Sequence, residues 1–295
     1  MSGKSTISWT DMTWNPIRGC SRVSEGCRNC YAERMASRYS GPGMPYEGLA
    51  AFKNGEPRWT GEVRLIEDAL DWPLRKKKPA RIFVNSMSDL FHEKVSVGWL
   101  DRIFAVMEEA KDHTFQILTK RPRYMMDFMR RRTGAAFMSK TEPAKNIWMG
   151  VSVEDQATAD ERIPLLLKTP ATVRWVSYEP ALGEVDFCHC DPTGDGPKHR
   201  ADCWLNGYAS RLDWIVVGGE SGPGARPFDI AWARSVIEQG KAAGVPIFVK
   251  QLGARQLLDG VPRSEAHRVK SRKGGDMAEW PKELCIRQFP GEVGL

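Results

Sequence analysis

The stretch that decides the fold is ARIFVNSMSDLFHEKVSVGWLDRIFAVMEEAKDHTFQILTK, residues 80–120. It begins with one short apolar run, ARIFVNS (80–86), and ends with another, TFQILTK (114–120). The segment between them has the apolar period of a helix, at Leu100, Ile103, Phe104 and Met107. Two buried strands joined by a helix are typical of a βαβ unit in a parallel sheet.

The same alternation continues along the chain. Four more strands are predicted at 146–152, 172–179, 212–220 and 245–251, and an earlier one in STISWTDMTWNP. Helical segments lie between them, such as ERIPLLLK and AWARSVIEQGKAAG, the second ending at Gly244. Six or more such units favour an α/β fold with a full or partial β/α barrel over a doubly wound sheet. We expect one domain over 1–295, with a loop-rich C-terminal wrap over 254–295.

Composition narrows the class of protein. The 295 residues are 41% hydrophobic and 27% charged, which is typical of a globular protein rather than a disordered one. No apolar run is long enough to span a bilayer, and the N-terminus lacks the apolar centre of a signal peptide. We therefore expect a cytoplasmic protein with no membrane partner. The net charge of +6 and several basic clumps permit a nucleic-acid partner without requiring one.

Polar or charged residues follow each predicted strand, where functional groups collect in β/α folds. The candidate cofactor- or substrate-binding residues are Asn85, Ser86, Lys120, Arg121, Ser152, Glu154, Glu179, Gly218, Gly219, Glu220 and Lys250. Three strands end on a Glu at nearly the same position, which favours a shared polar site. The alternative for each residue is a salt bridge or hydrogen bond that locks the mouth of the barrel.

Residues 183–210 interrupt the alternation, because they are rich in Gly and Asp and have no apolar period. They contain four residues of the types that hold tetrahedral zinc, namely Cys188, Cys190, His199 and Cys203. His189 is a possible substitute ligand. A closed site of this kind is structural and would fold a segment too polar for a core of its own. The alternative is an exposed thiol-rich loop without a metal.

The segment CSRVSEGCRNC (20–30) holds Cys20, Cys27 and Cys30 with no fourth ligand nearby. The helical pattern YAERMASRY follows directly, so Cys30 lies near a helix N-terminus, which favours thiolates. Three thiolates can hold three irons of a [4Fe–4S] cluster and leave the fourth open for the amino and carboxylate groups of S-adenosylmethionine (SAM). One alternative is a zinc site completed by Cys285 or a distant His, since thiolates suit both metals, and another is plain buried cysteines.

A resemblance enters at these residues. ISWTDMTWNPIRGCSRVSEGCRNCYAERMA, FVNSMSDLF, LTKRP, MGVSVEDQ, SYEPALGEV and DWIVVGGESGPGARP resemble a phage-associated family of unknown function, often called the three-Cys-motif phage family and regarded as radical-SAM-like. The resemblance covers nearly the whole chain. It implies a partial (β/α) barrel of the radical SAM type, a [4Fe–4S] cluster on Cys20, Cys27 and Cys30, and SAM. Two features depart from the superfamily pattern: the first cysteine gap is six residues, and Gly218-Gly219-Glu220 lies late in the chain.

The leading hypothesis is a radical SAM enzyme that cleaves SAM reductively and abstracts hydrogen from a substrate. A nucleic acid or nucleotide is the expected substrate class, in a modification or repair reaction, and the electron donor would be a protein such as flavodoxin or ferredoxin. The alternative is a zinc-stabilised nucleic-acid-binding protein without radical chemistry. A third reading takes GGESGPGAR as the phosphate-binding loop of a hydrolytic or transferase barrel enzyme, but its glycine spacing fits neither G-x-G-x-x-G nor the P-loop.

Overall fold

The computed structural model describes residues 2–134, 141–188, 203–205, 211–258, 260–262 and 270–291. The strands are β1 (Gly3–Lys4), β2 (Met12–Trp14), β3 (Ile17–Arg18), β4 (Ala50–Lys53), β5 (Glu56–Trp59), β6 (Arg64–Leu65), β7 (Arg81–Val84), β8 (Thr114–Thr119), β9 (Ile147–Val153), β10 (Val173–Tyr178), β11 (Trp214–Gly218), β12 (Phe228–Asp229), β13 (Ile247–Gln251), β14 (Gln256–Leu258) and β15 (Val261–Pro262). The α-helices are α1 (Tyr31–Arg38), α2 (Glu67–Leu70), α3 (Val97–Glu109), α4 (Pro122–Arg132), α5 (Gln156–Leu167) and α6 (Ile230–Ala243). Short 3-10 turns are formed by Glu25–Cys27, Pro73–Arg75, Met277–Glu279 and Lys282–Leu284.

The main sheet has eight strands in the order β1, β2, β7, β8, β9, β10, β11, β13. β1 is antiparallel to β2, whereas β2 with β7, β7 with β8, β10 with β11, and β11 with β13 are parallel. From β2 onward the strand order follows the chain, whereas a doubly wound sheet reverses its order at a switch point. The prediction of an α/β fold with a mostly parallel sheet is confirmed. The described residues form no closed barrel, because β1 and β13 are edge strands.

Contacts divide the chain into two compact units. Unit 1 comprises residues 1–150 and 169–172, and unit 2 comprises 151–168 and 173–295, so that β9 contributes residues to both. In unit 1, helix α3 begins at Ser96, whose side chain accepts a hydrogen bond from the N–H of Trp99. Its predicted apolar face is buried, because Leu100, Ile103, Phe104 and Met107 form part of the core.

In unit 2, β10 and β11 are buried along most of their length. Helix α5 begins with a capping box between Asp155 and Thr158, which satisfies backbone donors that the first turn leaves unpaired. Helix α6 ends at Gly244, which has a φ of 67° and takes the left-handed conformation that glycine favours. The predicted end of this helix is therefore confirmed.

Two predictions about the chain ends need comment. The strand predicted in STISWTDMTWNP (5–16) is confirmed only at Met12–Trp14, which is β2, because a turn and irregular backbone occupy 5–11. Its antiparallel partner β1 lies before the segment. The described parts of 254–295 contain β14, β15 and two 3-10 turns. Among the described helices, none combines the length and apolar character needed to cross a membrane.

Candidate functional site

The three cysteines of unit 1 lie in residues 19–30, here called the cysteine loop, between β3 and α1. All three thiols are free and half-buried. The loop begins at Gly19, whose φ is 90° and where a Cβ would lie 2.0 Å from the carbonyl oxygen of Glu62, so only glycine fits. Cys30 directly precedes α1, as the sequence predicts, and its carbonyl accepts a hydrogen bond from the N–H of Arg34.

One arginine of the loop holds it to helix α1. Arg22 Nε lies 3.1 Å from Oε1 and 3.0 Å from Oε2 of Glu33, whose side chain is 1% exposed. Glu33 Oε1 also accepts a hydrogen bond from the N–H of Trp59 in β5 at 2.9 Å. Arg22 in turn donates to the carbonyl of Arg28. A charge-assisted, forked contact of this kind fixes orientation as well as position.

A second arginine holds the loop from the end of β8. Arg121 Nη2 donates to the hydroxyl of Ser21 at 2.7 Å and to its carbonyl at 3.2 Å. Arg121 Nε donates to Glu93 at 2.8 Å, and Nη1 donates to Asp89 at 3.1 Å. Burial opposes the charge, but Asp89 and then Cys20 raise the pKa of Arg121 above its usual value. Arg121 is therefore a buried cation beside the first cysteine.

The hydroxyl of Ser21 makes all the hydrogen bonds that it can, two as acceptor and one as donor. His92 Nδ1 accepts a hydrogen bond from the N–H of Lys94, so the ring proton lies on Nε2, which is 2.9 Å from Ser21 Oγ. Ser21 thus accepts from His92 and Arg121 and donates to Glu93 Oε1 at 3.3 Å. Burial, followed by the charge of Arg121, lowers the pKa of His92, which keeps the ring neutral.

Asp89, which follows β7, organises the other side of this network. Its carboxylate accepts hydrogen bonds from Thr119 Oγ1 at 2.7 Å and from the N–H groups of Lys120 and Phe91. With the contact to Arg121, four donors meet one buried carboxylate. This saturation indicates that Asp89 orients Arg121 rather than binding a ligand. The side chain of the predicted site residue Lys120 is half-buried beside it.

The predicted residues Asn85 and Ser86 tie the end of β7 to the segment that leads into the cysteine loop. Asn85 Oδ1 accepts from the N–H of Ile17 at 3.3 Å, and Ser86 Oγ donates to Asn15 Oδ1 at 3.2 Å. Asn85 has a φ of 60° and is 2% exposed. Its Nδ2 group is buried without a hydrogen-bond partner in the described structure. A buried, unpaired donor is costly unless a ligand or water satisfies it.

Two thiols of the cysteine loop have a raised pKa in the metal-free protein. Burial, followed by the Asp89 carboxylate, raises the pKa of Cys20 to about 12, and Cys27 and Cys30 add to the effect. Burial also raises the pKa of Cys30. A metal would replace these protons with positive charge. The donor set therefore suits a thiolate-bound metal or cluster, although no three His, Cys, Asp or Glu side chains of the described residues stand in a metal-binding arrangement.

Two of the three strand-end glutamates in unit 2 are saturated by arginines. Glu154 and Arg162 form an ion pair of 3.0 Å with side chains 1% and 2% exposed, and Arg162 Nη1 also donates to the carbonyl of the predicted residue Ser152 at 2.8 Å. Glu220 binds Arg226 through both of its oxygens, at 2.7 Å and 3.0 Å. For these two glutamates, the structure places a cation where the sequence suggested a ligand.

The third glutamate is different. Glu179 lies 3.0 Å from Lys250 Nζ through Oε1 and 3.2 Å through Oε2, and Ser177 Oγ donates to Oε2. Only the Oε2 contact has hydrogen-bond geometry, so Oε1 is a buried acceptor without a hydrogen bond in the described structure. Lys250 is 24% exposed and has further N–H donors. This pair can still bind a polar group.

Gly218 and Gly219, which directly precede Glu220, lie where a larger residue would meet its neighbours too closely. A Cβ on Gly218 would lie 2.6 Å from Glu179 Oε1, and one on Gly219 would lie 2.7 Å from the carbonyl oxygen of Leu252 and 2.8 Å from Phe228 Cβ. Both glycines let the chain pass close to its neighbours. Together with the Glu220–Arg226 pair, this accounts for each residue of the Gly218-Gly219-Glu220 segment without a ligand.

The predicted zinc site is described in part. Cys188 and Cys203 are buried, and their sulfurs lie 2.9 Å apart. This is longer than a disulfide bond of about 2.05 Å. It is shorter than the roughly 3.8 Å between two thiolates on a tetrahedral zinc with bonds of about 2.3 Å. The other predicted ligands, Cys190 and His199, and the substitute His189 lie outside the described residues.

Several residues of these networks were not predicted as site residues. They are Ser21, Arg22, Glu33, Asp89, His92, Glu93, Arg162 and Arg226. The stretch Asp89–Glu93 directly follows a polar strand end, so a search extended by one turn past each strand would have found three of them. The contacts of Arg22 and Arg226 depend on tertiary packing and leave no periodic signal.

Comparisons with known proteins give a family but no activity. The family model described as "Protein of unknown function (DUF5131)" matches residues 4–281 of the chain. No curated protein and no solved structure matches it.

Proposed function

We propose that this chain, which belongs to the DUF5131 family of proteins of unknown function, is a radical SAM enzyme whose [4Fe–4S] cluster is held by Cys20, Cys27 and Cys30. The observation that carries the proposal is the cysteine loop itself. It presents three free thiols within eleven residues, and two buried ion-pair networks fix the loop on both sides. Burying Glu33, Asp89 and Arg121 around the loop has a cost in desolvation that a loop without a ligand would not need.

The strand order supports the same class of fold. From β2 onward, the parallel strands follow the chain order, which is the arrangement of a β/α barrel that has not closed. The cysteine loop follows β2 and β3, and the residues that hold it follow β7 and β8 at their carboxyl ends. Functional groups of β/α barrels gather at that end of the strands. We therefore propose a partial barrel of the radical SAM type.

When bound, the cluster and SAM would supply a one-electron reductive cleavage of SAM that leads to hydrogen abstraction from a substrate, with electrons from a donor such as flavodoxin or ferredoxin. The chain's own residues would orient the bound groups and neutralise their charge. Arg121 and Arg22 would balance the negative charge of thiolates. Asn85 Nδ2 would donate to an acceptor atom of the bound ligand.

In unit 2, Glu179 and Lys250 are the strand-end residues that we propose for binding a polar ligand group. Oε1 of Glu179, which has the ion-pair contact with Lys250 but no hydrogen bond, and the further N–H donors of Lys250 match a hydroxyl, which both donates and accepts. Glu154 and Glu220 are weaker candidates, because a ligand would have to displace a buried arginine from each of them.

The test is anaerobic purification followed by iron and sulfide analysis. The proposal expects brown protein with about four irons per chain and broad absorption near 400 nm, as for Fe–S clusters in general. Cys27→Ala should lose the iron and the reductive cleavage of SAM, whereas Cys285→Ala should retain both. Cys285 is the matched control, because it is a free, exposed cysteine outside the loop.

The competing function makes the opposite forecast. A zinc-stabilised nucleic-acid-binding protein would be colourless and hold about two zincs per chain with no iron. That result would end the radical proposal. Iron bound without any cleavage of SAM would restrict the site to a cluster of another kind.

We further propose a structural zinc on Cys188, Cys190, His199 and Cys203. The support is that Cys188 and Cys203 converge although 15 residues separate them. The start of the segment is also anchored, since the N–H of Phe187 donates to Gln239 and that of Asp186 to Gln156. Cys203→Ser should release about one zinc per chain and leave the iron content unchanged. Wild-type protein without zinc on denaturation would contradict this site.

A further inference from the structure

Helix α1 exposes an aromatic and basic face directly after the cysteine loop. Tyr31 is 65% exposed and Tyr39, the residue after the helix, is 42% exposed. Arg38 is exposed between them, and Arg34 is partly exposed. Arg38 contacts the sulfur of Met35, which belongs to the same face. Single exposed apolar side chains are normal on a protein surface, whereas two aromatic rings exposed on one helix face form a larger patch.

The spacing places these residues on one stripe. At 100° per residue, Tyr31, Arg34, Arg38 and Tyr39 fall within an arc of about 140°. Eight residues separate the two tyrosines, which corresponds to about 12 Å along the helix axis. This distance is that of about two nucleotide steps in an extended single strand.

The opposite face of α1 is fixed, so the exposed stripe has one orientation within unit 1. Ala32, Glu33, Ala36 and Ser37 are buried. Ser37 Oγ donates to the carbonyl of Ala51 in β4 at 3.2 Å, and Glu33 accepts from the N–H of Trp59 in β5. The stripe is therefore presented by a rigid helix rather than by a loop.

The charge around the stripe favours an anionic partner. Residues 18–64 contain eight arginines and lysines and five glutamates. Four of these glutamates are already paired, with Arg22, Arg28, Arg58 and Lys94. Among the described residues, neither Arg34 nor Arg38 pairs with a carboxylate. These two guanidinium groups remain available for an external anion.

Exposed apolar groups also concentrate here. Of the eleven large hydrophobic side chains exposed in the described part of the chain, five lie within residues 23–52. They are Val23, Tyr31, Tyr39, Met44 and Phe52. A partner that combines negative charge with flat apolar faces would match this composition better than an acidic protein surface would.

We propose that the exposed face of α1 binds single-stranded nucleic acid, with bases stacked on Tyr31 and Tyr39 and phosphates on Arg34 and Arg38. Aromatic side chains that stack bases, beside cations that bind the backbone, are how proteins hold single strands without sequence readout. The strand would run toward Cys30, because Tyr31 directly follows it. The idea that a bound nucleotide is then modified rests on the proposed function, but the binding itself does not.

The test is fluorescence anisotropy with the anaerobically purified full chain and labelled 12-nucleotide single strands of DNA and RNA. The double variant Arg34→Gln with Arg38→Gln should bind at least about tenfold more weakly. Its slope of log K against log salt should fall in magnitude by about 1.4, for two lost phosphate contacts. Tyr31→Ala with Tyr39→Ala should weaken binding by about 30-fold without changing that slope. Tyr31→Phe with Tyr39→Phe should stay within about threefold of wild type, because the ring is retained.

The matched control lies on α4, which also exposes arginines beside a tyrosine. Arg123 and Arg130 are exposed there, and Tyr124 is 54% exposed. Arg123→Gln with Arg130→Gln removes the same charge and should leave affinity within about threefold of wild type. An equal loss in this control, an unaffected tyrosine double variant, or competition by poly-glutamate as strong as by the unlabelled strand would overturn the proposal. The last result would identify an acidic protein as the partner.

Failure here and failure of the proposed function are distinguishable. Wild-type protein that cleaves SAM but does not bind single strands overturns the surface alone. Protein that binds single strands through Tyr31 and Tyr39 but holds no iron overturns the radical chemistry alone.

Discussion

The cysteine loop of unit 1 and the strand ends of unit 2 use buried charge in different ways. In unit 1, Arg22 and Arg121 hold a loop that carries three free thiols. In unit 2, Glu154 and Glu220 are each matched by an arginine, so that both carboxylates are satisfied within the protein. Charge that positions another group indicates a site, whereas charge that is satisfied by a neighbour indicates a structural lock.

The same distinction selects the remaining candidates. Asn85 Nδ2 and Glu179 Oε1 are buried polar atoms without a hydrogen bond in the described structure. Both belong to residues at the carboxyl ends of parallel strands, and both were predicted from that position. A polar strand end is therefore a good signal for a site only when one of its atoms stays unpaired after folding.

Breaking the Glu154–Arg162 lock should have the largest effect. Arg162→Met leaves a buried carboxylate without its cation, which should cost about 3–5 kcal/mol in the free energy of unfolding. Urea unfolding measures this cost. Glu283→Gln is the control, because the Arg234–Glu283 pair is 38% and 48% exposed and should contribute less than about 1 kcal/mol.

A double variant sharpens the reading of this lock. Arg162→Met combined with Glu154→Leu removes both charges and should recover most of the lost stability. If Arg162→Met lowers the free energy of unfolding by less than about 1 kcal/mol, the pair does not stabilise the fold. Glu154 then becomes a candidate for ligand binding again.

Filling the space beside Gly219 should have the next largest effect. The new Cβ of Gly219→Ala would meet the Leu252 carbonyl at 2.7 Å, which backbone cannot easily avoid, so we expect a loss of about 1–3 kcal/mol. Gly98→Ala in α3 is the control, because a Cβ there meets nothing within 4 Å and should stabilise the helix by about 0.5–1 kcal/mol. Thermal or urea unfolding reports both. Gly219→Ala that unfolds like wild type but loses a ligand would point to a binding role instead.

The sequence predicts more of the fold than of the candidate site. Six of the nine strands that the structure describes from residue 80 onward, together with helices α3 and α6, follow from apolar periodicity. The end of α6 at Gly244 and the start of α1 at Tyr31 follow from local signals. The strand predicted in STISWTDMTWNP was too long, because only β2 forms within it, and its three residues are too few to show alternation.

The site is harder to predict because its pairings join distant residues. Ser21 and Arg121 are 100 positions apart, and Arg121 could equally have pointed to solvent as far as the sequence shows. The pairing of three glutamates with Arg162, Lys250 and Arg226 depends on side-chain packing, which has no period. The sequence thus identifies which residues lie at strand ends, but only the contacts decide which of them remain available.

Loosening the hold on the cysteine loop should have a moderate effect. Ser21→Ala removes the acceptor of Arg121 Nη2 and His92 Nε2, so we expect a loss of about 1–2 kcal/mol in unfolding free energy. The variant should also alkylate Cys20 with iodoacetamide several-fold faster in metal-free protein, as followed by mass spectrometry. Ser40→Ala, which loses one hydrogen bond to the Ser37 carbonyl, should leave that rate unchanged. Equal rates in both variants would mean that Arg121 does not secure the loop through Ser21.

The smallest expected effect is a pH dependence of folding stability. It distinguishes the two regions, because it arises only from the residues that hold the cysteine loop. Burial and then Arg121 lower the pKa of His92 from its usual 6.5, so the unfolded chain takes up a proton that the folded chain refuses. Stability therefore falls as pH decreases below about 6.5, with a slope of at most about 1.4 kcal/mol per pH unit from this group. His92→Gln should remove this slope between pH 6.5 and 5.5, as measured by urea unfolding at each pH. An identical slope in wild type and variant would show that His92 is not held neutral, and the hydrogen bond from the N–H of Lys94 to His92 Nδ1 would then have to be withdrawn.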